Sequence, residues 1–349
     1  MHQLSHLDRS LAIKNGSNLC IDRLLIIEAA LILWSYIECG SMYYMLCRSP
    51  QYHPNLRLLL KHLVGQYFVS MACRLVQIFY EYDCTLAQSR EFDDIKSPFF
   101  YATVLRNCLV FIAFSFAPVT MIERLLASFL MADYEKKPRR YISILLIVIL
   151  YGWAVFCGIT FIFELLPTYF HGISSLSLNF CALLACFFNE YYNRRKLANS
   201  LVASKDIPNY SLSQRYQISE NLKTAMLFKR GIVVAIFFSI LCVIMILLSS
   251  IYKSDNMFNW IQIGFNYAAI IYGVGIPAAM YYYDENWKRD LIMFFNKWVL
   301  RKLPATVNAE RSLKSTFGER MIHEKNRETA IYFQQLQQDW SEKTQKTHV

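Results

Sequence analysis

This chain has little charge. Only 18% of its 349 residues are Asp, Glu, Lys or Arg, while 55% are hydrophobic and 15% aromatic. A soluble globular chain carries about 25% charged and about 45–50% apolar residues. One ordinary water-soluble domain is therefore excluded, and so are disorder, a coiled coil and a small disulfide scaffold. No CxxC pair and no Cys/His cluster at metal spacing occurs, and most of the 10 cysteines fall inside apolar stretches, where a thiol acts as a small hydrophobe. Neither a metal site nor a cofactor is expected. HExxH and GxSxG are both absent, which argues against an enzyme working inside a membrane. The composition is that of an integral membrane protein.

A helix needs about 20 mostly apolar residues to cross a hydrocarbon core of about 30 Å. Seven runs qualify: Leu24–Leu46, Leu58–Tyr80, Phe99–Leu126, Tyr141–Phe163, Ile173–Tyr192, Gly231–Tyr252 and Trp260–Tyr283. The fifth is the most dilute, with Ser174, Ser175, Ser177, Asn179 and Asn189 along it. All are too long for barrel strands and none alternates with period two. The expected fold is an all-α membrane protein, a bundle of seven transmembrane helices occupying residues 24–283.

Lysine and arginine in the loops set the orientation, because they collect on the cytoplasmic side. The first-to-second loop holds Arg48 and Arg57. The third-to-fourth holds Lys136, Lys137, Arg139 and Arg140, and the fifth-to-sixth holds a basic series from Arg194 to Arg230. The opposite loops offer only Arg90, Lys96 and Lys253, beside Glu81, Asp83, Glu91, Asp93 and Asp94. The N-terminus (residues 1–23) is expected outside and the C-terminus inside, with the first span acting as its own insertion signal. The net charge of +10 is then a basic inner face against anionic lipid, and no nucleic-acid partner is needed to explain it. Asn15, in an Asn-x-Ser sequon before the first span, is a glycosylation candidate on the outer side.

Several residues inside this frame bear on function. At the inner end of the third span stand Glu123 and Arg124. Position alone leaves two readings: an ion pair that holds a helix bundle in one of two states, or an arginine snorkelling to the interface beside a solvated glutamate. Pro277 lies near the inner end of the seventh span with Tyr281 four residues on, a weak approach to Asn-Pro-x-x-Tyr and more simply a proline kink. After it, residues 284–303 space Trp287, Leu291, Phe294, Phe295 and Val299 at helical intervals among basic residues, as an amphipathic helix on the membrane surface would. Residues 304–349 are a polar cytoplasmic tail, expected to be partly disordered.

Ionisable groups within spans are functional candidates by default. Glu28, Arg74 and Arg106 all fall in the outer half and are expected to share an outward-facing cavity, where their charge would select polar or anionic ligands. The competing reading is a structural ion pair, Glu28 with Arg74. Aromatics including Tyr67, Phe111, Phe114, Trp153, Phe163, Trp260 and Tyr267 are candidates for its walls. The segment Glu164–Gly172 has no cysteine to tie the third span to the second outer loop. Cys20 and Cys84, both outside, are candidates for a disulfide instead.

Glu123, Arg124 and Ala127, followed by Asp133, Tyr134 and Glu135, resemble the signature that ends the third helix in nematode serpentine receptors of class e (Sre). The stretch Tyr210, Leu212, Ser213, Arg215, Gln217, Glu220 and Asn221 is similar to that family's block before helix six. The resemblance runs from about the first span to Lys302. It implies a G-protein-coupled chemoreceptor that senses small-molecule odorants or pheromones at the plasma membrane of sensory neuron cilia. It also implies a heterotrimeric G protein as partner, engaged through the inner ends of helices three and six. Glu123, Arg124, Asp133, Tyr134, Arg215, Gln217, Glu220 and Asn221 are the coupling residues so indicated, Pro277 and Tyr281 of the seventh span are candidates beside them, and an oligomer stays open. For the block before helix six, a solvated helical extension held by local charge pairs is the plainer reading. A transporter would want repeated halves, and none is seen. A ligand-gated channel would want its N-terminus inside.

Overall fold

The computed structural model describes residues 7, 9–48, 53–82, 97–130, 140–202, 212–252, 257–283, 287–289 and 291–293. Among these, eight helices follow one another: α1 (Arg9–Lys14), α2 (Asn18–Arg48), α3 (Pro54–Tyr82), α4 (Pro98–Phe129), α5 (Arg140–Ile162), α6 (Thr168–Val202), α7 (Leu212–Ile251) and α8 (Met257–Tyr283). The described residues contain no strand. Helices α2, α3, α5, α6, α7 and α8 close a ring, each touching the next, and α4 runs inside it against α3, α5, α6 and α7.

Local chemistry sets several helix ends. Ser97 caps α4, its hydroxyl accepting from the Phe99 amide at 3.3 Å, and Pro98 occupies the first turn, where no amide is needed. Gly16, at a φ of 64°, ends α1 in the left-handed conformation that glycine adopts without strain. Two prolines stand inside helices, and each frees the carbonyl four residues before it. For Pro118 in α4 that carbonyl belongs to Phe114, and Asn179 of α6 donates to it at 2.9 Å. For Pro277 in α8 it belongs to Gly273, and the Cys39 thiol of α2 donates to it at 3.6 Å. Neighbouring helices thus re-satisfy both breaks, as a water-free interior requires.

By length and hydropathy, five of the described helices are apolar enough to cross a membrane: α4 to α8, with α6 counted over Thr168–Asn199 and α7 over Lys229–Ile251. The first two expected spans correspond to α2 and α3, which are as long but carry Asp22, Arg23, Glu28 and Glu38, and Arg57, Lys61, Arg74 and Glu81. Large apolar side chains point outward on all seven long helices, including Ile26, Leu33, Trp34 and Ile37 of α2 and Val69, Val76 and Phe79 of α3. Polar side chains, by contrast, are buried between them.

The elements also extend beyond the apolar runs. α7 begins at Leu212 rather than Gly231, so the block before the sixth span is helical from Leu212. Of the expected amphipathic helix, residues 287–289 and 291–293 are helical, with Trp287 buried against Tyr281, and residues 284–286, 290 and 294–303 lie outside the described set.

Candidate functional site

Buried charge is concentrated in two places. At the end of the bundle that carries α1, Glu28, Arg74 and Arg106 do come together. Arg74, Gln77 and Glu81 repeat at intervals of three and four along one face of α3. The Arg74 guanidinium grips both Glu28 oxygens, from Nε at 2.6 Å and Nη2 at 2.9 Å, while its Nη1 reaches Glu81 at 3.0 Å. Glu28 is 0% and Arg74 1% exposed. One buried cation therefore neutralises two buried carboxylates, and the forked geometry is the strongest available to it.

α1 closes this network from above. The Leu7 amide donates to Glu81 Oε1 at 3.2 Å. Arg9, itself buried, donates to the Glu81 carbonyl, to Asn18 Oδ1 and to Asp22 Oδ1. Arg106 of α4 sits beside them on different terms. It donates to Gln77 Oε1 at 2.8 Å and to Asn266 Oδ1 of α8 at 2.6 Å, both neutral, and its buried Nε has no hydrogen-bond partner. Among the described residues it forms no direct contact with a carboxylate. Gln77 in turn donates to Thr103 at 2.9 Å.

The expected open cavity lined by these charges is not what the network forms: its members are buried and bond mainly to one another. The competing Glu28–Arg74 ion pair is present, joined by Glu81 from beyond the apolar run of the second span and by Arg9 from the polar N-terminal segment.

Free space lies deeper, below Arg106. One cavity of about 60 Å³ is bounded by α2, α3, α4, α7 and α8, with Gln66, Tyr67, Phe114, Tyr272 and Gly273 on its wall. A second, of about 50 Å³, continues away from the α1 end and shares Met42, Leu63, Tyr272 and Ile276 with it. Gly273 is required here, since a Cβ at that position would overlap the Tyr67 ring. With the ring seated against α8, Tyr67 donates to Ser35 at 2.9 Å. Of the aromatics expected around a ligand, Tyr67 and Phe114 line this cavity. Phe111 packs with Phe161 and His171 instead, Tyr267 donates to the Leu24 carbonyl, and Phe163 and Trp260 are exposed.

At the far end, Glu123 and Arg124 are both buried, and Arg124, 4% exposed, donates from Nε at 2.5 Å and from Nη2 at 2.7 Å to the two Glu123 oxygens. This is a closed pair, not a snorkelling arginine beside a solvated acid. One turn on, the Ser128 hydroxyl meets Asn189 Oδ1 of α6 at 2.8 Å and accepts from Asn193 at 3.0 Å. Glu190 of α6 pairs with Lys229 of α7 at 2.8 Å and with Arg194. These contacts link α4 to α6 and α6 to α7. The sequence signal for the link to α4 was only Asn189 near the end of an apolar run, with Asn193 one turn beyond it. Tyr281 meets the Ser41 hydroxyl of α2 at 2.8 Å, so it ties α8 to α2 just beyond Pro277.

Asp133, Tyr134 and Cys84 lie outside the described residues. For Arg215, Gln217, Glu220 and Asn221 only the helical backbone is described, and Leu222 after them is buried against Leu197. Asn15 is exposed in the turn between α1 and α2, and Cys20 is exposed on α2.

Residues 13–341 match the family model for the Sre G protein-coupled chemoreceptors. The chain belongs to the Sre family. It is similar to serpentine receptor class epsilon-8 of Caenorhabditis elegans, 28% identical over 325 residues and 92% of each chain. Serpentine receptor class epsilon-12 of the same organism is 27% identical over 320 residues, 90% of this chain and 91% of the relative. Class epsilon-13 is 25% identical over 265 residues, 71% of this chain and 72% of that one. Sre proteins are chemoreceptors and not an enzyme family, in keeping with a chain of apolar helices suited to a multi-pass membrane protein. The match covers both polar clusters, apart from Leu7 and Arg9, and the cavities between them.

Proposed function

We propose that this Sre protein crosses the plasma membrane of a sensory neuron cilium seven times, with α1 outside. On this reading it converts binding of a small molecule near the α1 end into activation of a heterotrimeric G protein at the far end. The observation that carries this reading is the family match over residues 13–341, laid on a closed bundle whose two polar clusters lie at opposite ends. The α2 and α3 helices count as spans because their deep charges pair with one another and their outer faces are apolar. Loop charge supports the orientation.

On the sensing side Glu28 and Arg74 hold the fold, and Arg106 is the member suited to respond. Its partners are neutral, and it joins α3 and α8 to the central helix. Arg106→Ala should reorder the responses to a panel of odorants in cells carrying the receptor, and an unchanged profile would remove Arg106 from recognition. On the coupling side Glu123, Arg124, Asp133, Tyr134, Arg215, Gln217, Glu220, Asn221, Pro277 and Tyr281 form the G-protein face.

The test begins with one epitope tag at each end, stained in intact and then permeabilised cells, followed by nucleotide exchange on co-expressed Gα subunits. Staining of the N-terminal tag alone in intact cells, with odorant-evoked exchange, is the expected result. An N-terminus inside the cell would sink the reading and favour a channel.

A further inference from the structure

We infer that the cavity beneath Arg106 is a ligand site for a compact, uncharged, largely apolar molecule carrying one hydroxyl, which donates to Gln66. This rests on the receptor reading above and names the class of molecule sensed. The wall is almost wholly carbon, so an ion brought into it would lose its hydration with no partner in return. Its few polar atoms are mostly engaged already: Tyr67 donates to Ser35, and the Tyr272 hydroxyl to the Ala113 carbonyl at 3.4 Å. Gln66 is the exception. It is 6% exposed, lines the cavity, and its Oε1 has no hydrogen-bond partner. A buried acceptor left in that state is costly, and a donor that reaches it recovers the cost. Ser70, one turn further along α3, lines the same cavity and can face the ligand's oxygen.

Size sets the other limit. An apolar cavity of about 150 Å³ holds one benzene ring. The two voids here, about 60 and 50 Å³, share the Met42 side chain, and methionine repacks readily. Joined, they still fall short of that volume, and the space a swing of the Met42 side chain vacates between them supplies the rest for one small ring or a short chain. The apolar wall thus makes the ligand class differ from the anionic one that the charges alone had suggested.

The experiment uses the purified full-length chain in lipid nanodiscs and three molecules of one framework: cyclohexanol, methoxycyclohexane and cyclohexanecarboxylate. Binding is read by saturation-transfer NMR and by the shift in unfolding temperature, with no G protein present. Cyclohexanol should bind about tenfold more tightly than the ether, the difference one hydrogen bond makes. Gln66→Leu should erase that preference without loss of fold, since it removes an unsatisfied acceptor. Ala113→Phe, which fills the cavity, should abolish binding of the alcohol. Preference for the carboxylate, lost in Arg106→Gln, would overturn the inference, as would an alcohol preference that survives Gln66→Leu or failure of all three to bind at millimolar concentration. Each of those results leaves the receptor reading intact, because odorant-evoked nucleotide exchange is measured separately.

Discussion

Arg74→Ala is expected to empty the cell surface of receptor. Arg74 is the one cation in direct contact with both Glu28 and Glu81 among the described residues, and both carboxylates are fully buried. Truncating it leaves two negative charges in a medium that cannot solvate them. Breaking one buried pair in this way costs about 3–5 kcal/mol, against a net stability of about 5–15 kcal/mol for a whole domain. The same change cuts the tie between α2 and α3 and the seat on which α1 rests through Leu7 and Arg9. Glu28→Gln should be milder, because Arg74 then still balances Glu81 charge for charge. The triple change Glu28→Gln, Arg74→Met, Glu81→Gln should recover most of the surface signal, since a buried ionic cluster exchanged for neutral groups of like volume is often no less stable. The measurement is the ratio of surface to total N-terminal tag for each variant. Wild-type surface levels in Arg74→Ala would show that the triad does not hold the fold.

The network around Arg74 also marks how far the sequence could be read. Ionisable residues in the outer halves of apolar helices need partners, because lipid cannot solvate them: Glu28 and Arg74 find each other, whereas Arg106 finds the neutral Gln77 and Asn266. Glu81 was missed because it lies past the end of the apolar run, where an acid reads as loop, yet α3 continues through it to Tyr82. Arg9 was missed because a polar N-terminal segment gives no periodic signal, and α1 is only 6 residues long. The apolar runs located the centres of the helices and not their ends: hydropathy stops at Gly231, whereas α7 starts at Leu212. Asn179 and Asn189 looked like dilution of the fifth span, but each answers a need on another helix, the carbonyl freed by Pro118 and the hydroxyl of Ser128. Complementarity of that kind depends on which helices touch, which a single sequence does not state. The cavity was invisible for the same reason, being the space that Tyr67 leaves when its ring folds against Gly273.

Arg124→Ala and Glu123→Gln are expected to act in opposite directions on signalling. Adjacent residues on a helix do not face one another, so the two forked contacts between them, at 2.5 and 2.7 Å, bring both side chains round to one spot and hold the guanidinium inside the bundle. They do so on α4, the central helix, one turn before Ser128 fastens it to α6 and close to the Glu190–Lys229 pair that fastens α6 to α7. A two-state bundle biased by this pair would release Arg124 toward the G protein when α4 shifts. Neutralising Glu123 weakens the hold, so Glu123→Gln should raise ligand-independent nucleotide exchange, by about 5-fold or more if the pair carries an ordinary coupling energy of about 1–3 kcal/mol. Arg124→Ala removes the group that is released, so ligand-evoked exchange should fall to background while the receptor still reaches the surface. A purely structural role predicts a different pattern, with both variants losing surface expression and neither raising basal exchange. Undiminished evoked exchange in Arg124→Ala would end the case for Arg124 as the coupling residue. Exchange measured in membranes matched for surface receptor, with and without odorant, separates these outcomes.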